Sequence, residues 1–177
     1  MPTLGVDVPL AGPDGAQGIL ALQAVRFALA DSRAVKLDVR DASGGGFADP
    51  HEDEGAGDWR NPTFAAKNIA AFAANGDVIA VIGGFNTAVG RAEMRAAQRA
   101  GVPIVLADQV SQVSLSASER KHFETAYRRH YGEAPDALAE RFYSATKLIL
   151  SCGGHSRAEL IVCLRRGPAR DSLGGGV

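Results

Sequence analysis

Apolar and polar residues alternate between two patterns over the first 110 positions. Short apolar runs at 3–10, 35–39, 78–82 and 103–106 predict β-strands, and the segments between them carry apolar residues at helical spacing. After the first run, Ala11-Gly12-Pro13-Asp14-Gly15 predicts a turn, and Ile19, Leu22, Val25, Arg26 and Leu29 then recur at helical intervals. The second run leads into Asp41 and Ala42-Ser43-Gly44-Gly45-Gly46. Residues 47–60, acidic, glycine-rich and without periodicity, read as a long surface loop. Asn61-Pro62 suits a helix start, Ala65, Ile69 and Phe72 mark its apolar stripe, and Asn75-Gly76 its stop. The third run is apolar throughout, as expected of a parallel strand covered on both faces. Gly83-Gly84-Phe85-Asn86-Thr87 follows it directly, and a helix over 88–100 is closed by Gly101.

Three β-α units and a fourth strand predict an α/β fold, a doubly wound, mainly parallel sheet flanked by helices, in the manner of a flavodoxin-like lobe. Beyond residue 107 the pattern changes. Residues 116–131 and 135–152 are two helical stretches separated by Gly132-Glu133-Ala134, and a third, 156–165, follows Gly153-Gly154. Phe123, Ala126, Tyr127 and His130 line one face of the first. Leu138, Phe142, Ala145, Leu148, Ile149 and Cys152 line one face of the second. Both faces are expected to cover the sheet, and residues 172–177 form a weak candidate for an edge strand.

Composition narrows the function. With 177 residues, 46% hydrophobic and 22% charged, the chain suits a single domain, and a net charge of -1 gives no electrostatic footprint for nucleic acid or anionic membrane. No apolar run reaches the roughly 20 residues of a membrane span. The opening MPTLGVDVPL lacks a positive segment followed by an apolar core, so no signal peptide is expected, and an exported protein would be present here in its mature form. Cys152 and Cys163 lie eleven positions apart in two separate helical stretches. That spacing permits a disulfide without implying one, and both read as small buried apolar side chains.

Ligands of open α/β sheets bind beyond the carboxyl ends of the strands, here at residues 11–18, 41–43, 84–87 and 107–111. The sharpest is the loop from Gly83 to Thr87. Two glycines allow close backbone approach, and a helix N-terminus with its outward N–H groups accepts an anion such as a carboxylate. The same residues also fit a plainer role, with Asn86 or Thr87 only capping its own helix. Enzyme signatures are missing. There is no G-x-G-x-x-G, no G-x-x-x-x-G-K-[ST], no H-E-x-x-H and no G-x-S-x-G, so neither a nucleotide cofactor nor a hydrolase elbow is indicated. His51, His122, His130 and His155 lack metal-ligand spacing. Asp7 and Asp41 fall near strand ends as in a phospho-accepting receiver, but the lysine such a domain needs at a late strand end is not there. No cofactor, no metal and no enzymatic activity are expected.

The residues also resemble a family. Gly5-Val6-Asp7-Val8-Pro9-Leu10-Ala11-Gly12-Pro13, the helix from Gly18 to Ala28, and Pro62, Ala66, Asn68, Ala73 and Asp77 are similar to the opening of type I periplasmic solute-binding proteins of branched-chain amino-acid ABC transporters. Residues 78–87 match best. Phe123, Tyr127, Tyr131, Gly132 and Pro135 resemble that family's F-x-x-x-Y-x-x-x-Y-G-x-x-P segment, Phe142-Tyr143-Ser144-Ala145 its aromatic helix, and Arg170-Asp171-Ser172-Leu173-Gly174 its closing loop.

The resemblance implies one lobe over 1–177, built from 1–111 and the returning helices of 115–177, with the second lobe absent, since family members hold two lobes in about twice this length. It implies Asn86 and Thr87 as contacts to the carboxylate of an amino-acid-like ligand, helped by Gln109, Val110 and Ser111, with Gln17 near the rim and Tyr143 and Asp41 as further contacts. It further implies a periplasmic or extracellular location and a membrane permease as partner. One departure stands out: the loop after the fourth strand reads Leu106-Ala107-Asp108-Gln109-Val110-Ser111 where the family has Ser-Pro and hydroxylated residues, so Asp108 sets a negative charge near a carboxylate pocket. A lone lobe also offers half a pocket and a bare closing face. The alternative expectation is therefore a lobe without ligand, folding or self-associating as a homodimer through that face.

Overall fold

A computed structural model describes residues 1–30, 35–43, 62–110, 115–154 and 156–166. Strands β1 (Thr3–Val8), β2 (Lys36–Asp41), β3 (Val78–Gly83) and β4 (Ile104–Leu106) form one parallel sheet in the order β2-β1-β3-β4. Helices α1 (Gly15–Leu29), α2 (Pro62–Ala74) and α3 (Thr87–Ala100) supply the crossovers, and α4 (Ala117–Tyr131), α5 (Ala137–Ser151) and α6 (Arg157–Arg166) follow. The α/β doubly wound reading stands. The long loop expected over 47–60 and the edge strand expected over 172–177 lie outside the described residues.

Strand alternation divides the core. Leu4, Val6 and Val8 point to one face of the sheet, where they meet Leu22, Val25 and Leu29 of α1, Phe142, Ala145 and Ile149 of α5 and Leu160 of α6. On the other face Val78 and Val81 meet Ile69 and Phe72 of α2 and Ala96 and Ala97 of α3. β1 is buried along its whole length because both of its faces are covered. Gly5 fits the second face: a Cβ built there would stand 2.9 Å from Phe72 Cδ1, so the ring takes the space a side chain would fill. Full burial of an aromatic such as Phe72 contributes about 1.5–3 kcal/mol.

The expectation that both returning helices cover the sheet holds for α5 alone. The apolar face of α4, through Phe123 and Tyr127, packs on Ala24 and Phe27 of α1 and Ala139 of α5, in a cluster that contains no strand residue. Tyr127 donates its hydroxyl hydrogen to Gln23 Oε1 at 2.8 Å, and Tyr131 donates to the Gln23 carbonyl at 3.1 Å. Hydroxyls at the ends of the rings bind α4 to a helix, which a purely apolar pattern does not distinguish from binding to a sheet. His130 is exposed beside Phe27 and Tyr131.

The helix ends follow their capping residues. Ser116 and Glu119 form a capping box at the start of α4, Asp136 accepts from the Ala139 N–H at 2.7 Å to start α5, and Gly101 closes α3 with φ +67°. The two cysteines correct the sequence reading: Cys152 and Cys163 form a disulfide, with Cα atoms 5.8 Å apart. The turn through Gly153, at φ +58°, separates α5 from α6 and brings together the two cysteines, which sequence spacing left undetermined. Arg157 adds a second tie. Its Nε donates to the Val78 carbonyl at 2.8 Å and its Nη2 to the Ala73 and Asn75 carbonyls at 3.0 and 2.8 Å, capping the end of α2 from across the sheet. Among the described residues no helix is long and apolar enough to cross a membrane.

Candidate functional site

The strand order reverses between β1 and β3, since β1 continues to β2 on one side and β3 to β4 on the other. The crevice beyond the carboxyl ends of these two strands is where an α/β sheet places a ligand. Its walls are the β1-α1 loop, the β3-α3 loop and the 3-10 turn Ala107–Gln109 that follows β4.

The β3-α3 loop turns at Gly84, whose φ of +78° lies in the left-handed region that glycine adopts without strain. A Cβ on Gly84 would also stand 2.6 Å from Asp108 Oδ1 and 2.9 Å from the Ala107 nitrogen, so the loop lies directly against the 3-10 turn. Asp108 N–H donates to the Gly84 carbonyl at 3.2 Å and joins the two walls. Asn86 then caps α3: its Oδ1 accepts from Ala88 N–H and Val89 N–H, both at 3.1 Å. Asn86 therefore does cap its own helix, and two of the amides expected to receive a carboxylate are already bonded. Thr87, the first residue of α3, is exposed at the mouth of the crevice.

The other expected contacts divide. Gln17 is exposed on the first turn of α1 and Gln109 on the 3-10 turn, both on the strand-end side. Val110 is half-buried and packs on the cluster that α1 and α5 form with the sheet. Ser111 lies outside the described residues. Tyr143 stacks on Phe123 with centroids 4.1 Å apart and meets Phe27 at 6.2 Å, so its ring belongs to the layer between α1, α4 and α5 rather than to the loops. Asp41 is a brace. Its Oδ1 accepts from the Leu10 N–H and the Ser43 N–H, both at 2.9 Å, and from the Ser43 hydroxyl at 2.6 Å. Partial burial acts to raise its pKa, but these bonds outweigh it and hold the carboxyl below its ordinary value.

Beneath the crevice lies a polar network that sequence reasoning did not assemble. Asp7 on β1 and Glu93 on α3 are both fully buried. Asn68 of α2 donates to Asp7 Oδ1 at 2.7 Å and to the Asp41 carbonyl at 3.1 Å, while Glu93 Oε2 accepts the Gly84 N–H at 2.7 Å. Burial pushes the Asp7 pKa up to about 6, with Asp41 adding to the rise and bonds from Glu93 and Asn68 and the charge of Arg40 opposing it. Burial, then the charge and bond of Asp7, push Glu93 well above the usual carboxylate range. A signal for Glu93 was present: with Val89, Ala92, Ala96 and Ala97 it occupies the inward stripe of α3, where an unpartnered charge does not belong. Asp108 is also raised, by burial first, against its own amide and Arg141.

The arrangement offers an exposed hydroxyl, a helix N-terminus and a braced loop pair, and the hydroxyl that has a carboxylate beside it, Ser43 on Asp41, is taken up in bracing the loop. Among the described residues no group of His, Cys, Asp and Glu is placed to hold a metal ion. A groove of about 530 Å³ between α3, β4 and α6, lined by Met94, Pro103 and Ile161, lies at the opposite end of β4 and is no part of this crevice.

No protein-family model matches the chain, and no curated protein matches it in sequence. Solved structures do match in shape. The chain is similar to the branched-chain amino acid transporter substrate binding protein LivJ from Streptococcus pneumoniae, solved in complex with isoleucine, with a TM-score of 0.68 at 11% identity over 90% of this chain and 86% of that one. It is also similar to a protein from Rhodospirillum rubrum assigned to branched-chain amino acid ABC transport, with a TM-score of 0.55 at 13% identity over 90% of this chain and 87% of that one. At such identities the likeness concerns the fold. The chain has the α/β fold of the type I periplasmic binding proteins, as the sequence resemblance implied.

Proposed function

We propose that the chain is a solute-binding lobe related to the branched-chain amino-acid binding proteins, holding the carboxylate of a small amino-acid-like ligand at the N-terminus of α3. The observation that carries this reading is the position of Thr87: an exposed hydroxyl on the first turn of a helix, beside a left-handed glycine, at the point where the strand order reverses. Asn86 takes the Ala88 and Val89 amides and its carbonyl the Gly90 amide, so the ligand's share falls to the Thr87 hydroxyl and amide and the helix dipole. Gln109, Gln17, Val110 and Ser111 are the further contacts in this reading. No bond is made or broken in this scheme, and the protein acts by binding rather than by catalysis.

Residues 1–111 and 115–177 form one lobe in this reading, because β4 and α4 are joined by a connection too short to hold a second lobe between them. The Cys152–Cys163 disulfide supports an oxidising compartment, such as the periplasm or the cell exterior, where a transport permease would be the partner. One specific observation favours the alternative of a lobe that has lost its ligand and serves in folding or self-association as a homodimer. Asp108, at the crevice wall, faces any bound carboxylate with a like charge unless it is protonated or met by the ligand's ammonium.

Titration with leucine, isoleucine and valine, followed by amide NMR, separates the two readings. Binding at the crevice shifts the amides of residues 84–90 in a saturable way. Shifts that ignore the added amino acids but grow with protein concentration support self-association instead.

A further inference from the structure

The hydrogen bonding of Asp7 and Glu93 is incomplete unless a proton lies between them. Asp7 Oδ1 is occupied by Asn68 and Glu93 Oε2 by the Gly84 N–H. The other two oxygens, Asp7 Oδ2 and Glu93 Oε1, have no donor. Both carboxyls are fully buried and lie close enough for each to act on the charge of the other. Ionised carboxylates are acceptors only, so a bond between two of them requires one to carry a hydrogen. The surroundings do not neutralise a double charge. From β2, Arg40 lies opposite Asp7 in register but is shared with Asp38 at 3.7 Å, and Asp41 adds a negative charge. α2 contributes the neutral Asn68, and the 3-10 turn contributes Asp108, negative again.

We propose that Asp7 and Glu93 share a single proton and act as a positioning pair, which holds Gly84 and through it residues 85–87 in the geometry of the crevice loop. Its effect on a ligand rests on the solute-binding reading above; its effect on the loop does not. While the proton is present, Glu93 remains bonded on both sides and keeps its hold on the Gly84 N–H. Once the proton leaves, two buried like charges face each other, and Glu93 relieves the repulsion by withdrawing from Asp7 and Gly84. Because Gly84 is packed against Ala107 and Asp108, its release changes the spacing of the two crevice walls.

The sign of the pH dependence follows from burial. Both groups titrate higher in the folded chain than in the unfolded one, Asp7 at about 6 against 3.8 and Glu93 well above 4.5. Between those values the folded state binds more protons than the unfolded state, so the stabilisation is complete in acid and is lost as pH climbs through the folded values.

The test is a pH titration of the full chain labelled with 13C at Asp and Glu carboxyl carbons, with the Gly84 amide followed in parallel. The expected result is one carboxyl of the pair still protonated at about neutral pH, well above the ordinary carboxylate range, and a Gly84 amide that titrates in step with it. Glu93→Gln keeps the shape and supplies a permanent hydrogen to Asp7, so in that variant the Gly84 amide stops titrating and Asp7 ionises at lower pH. Leucine affinity is then read at mildly acidic and mildly alkaline pH. It should weaken several-fold on the alkaline side in the wild type and stay level in Glu93→Gln. Two carboxyls that both ionise in the ordinary range, or a Gly84 amide that titrates identically in wild type and Glu93→Gln, overturn the proposal. A chain in which the carboxyls and Gly84 titrate as expected but leucine binds at no pH supports the positioning pair and removes the ligand reading alone.

Discussion

Asn86 shows how one side chain decides what a helix end can offer. A polar residue before α3 was equally suited to capping the helix or to serving a ligand, and its Oδ1 takes the Ala88 and Val89 amides. Asn86→Ala removes both bonds and should destabilise the chain by about 1 kcal/mol, as N-cap losses commonly do, which urea unfolding would measure. Because it frees two amides at the crevice, the same variant should not abolish ligand binding. Thr87→Ala should reverse that pattern, leaving stability nearly unchanged, since Thr87 is exposed, while weakening the anion site. Asp41, expected as a further contact, is occupied in holding Leu10 and Ser43, and it shapes the crevice without entering it.

At the scale of elements, the close approach of α1 to the end of β1 depends on Gly18. A Cβ there would overlap the Pro9 carbonyl oxygen, which is backbone and has no rotamer to yield. Gly18→Ala should therefore destabilise by about 1–3 kcal/mol, as overpacking does. Gly76→Ala, where a Cβ meets open space, serves as its control. Chemical unfolding of the two side by side tests the packing of the ligand loop against its helix. Among the described residues all four strands and all six α-helices were legible in the sequence, because runs of apolar residues and helical spacing record burial directly. The partner of a face was less legible. Phe123 and Tyr127 announce that α4 has a buried side, but only the hydroxyl bond to Gln23 reveals that it lies on α1. Of the site, the β3-α3 loop was readable from its glycines and its capping residues. The Asp7–Glu93 pair was not, because it joins residues 86 positions apart through a crossover whose geometry no local pattern carries.

At the scale of the molecule, the disulfide and Arg157 fasten the last helices to the rest. Cys152–Cys163 closes a short loop between α5 and α6, and loops of this size stabilise by about 3 kcal/mol. Replacing both cysteines by serine should lower Tm by roughly 6–12 °C, visible by calorimetric scanning, and reduction of the wild type should reproduce the fall. Since α6 lies away from the crevice, affinity for any ligand should survive that change at temperatures where the variant is folded. The fold similarity to LivJ explains why the architecture brings a helix N-terminus to the strand-order reversal. Whether a ligand binds there depends on the residues at that point, above all Thr87 and Asp108.

Isothermal calorimetry with leucine tests the central claim most directly, carried out on the wild type and on Thr87→Ala at mildly acidic pH. The account predicts weak but saturable heat for the wild type, in keeping with half of a pocket, and its loss in Thr87→Ala without loss of fold. Absence of saturable heat with leucine, isoleucine and valine up to millimolar concentrations, or binding that Thr87→Ala leaves unchanged, would contradict it.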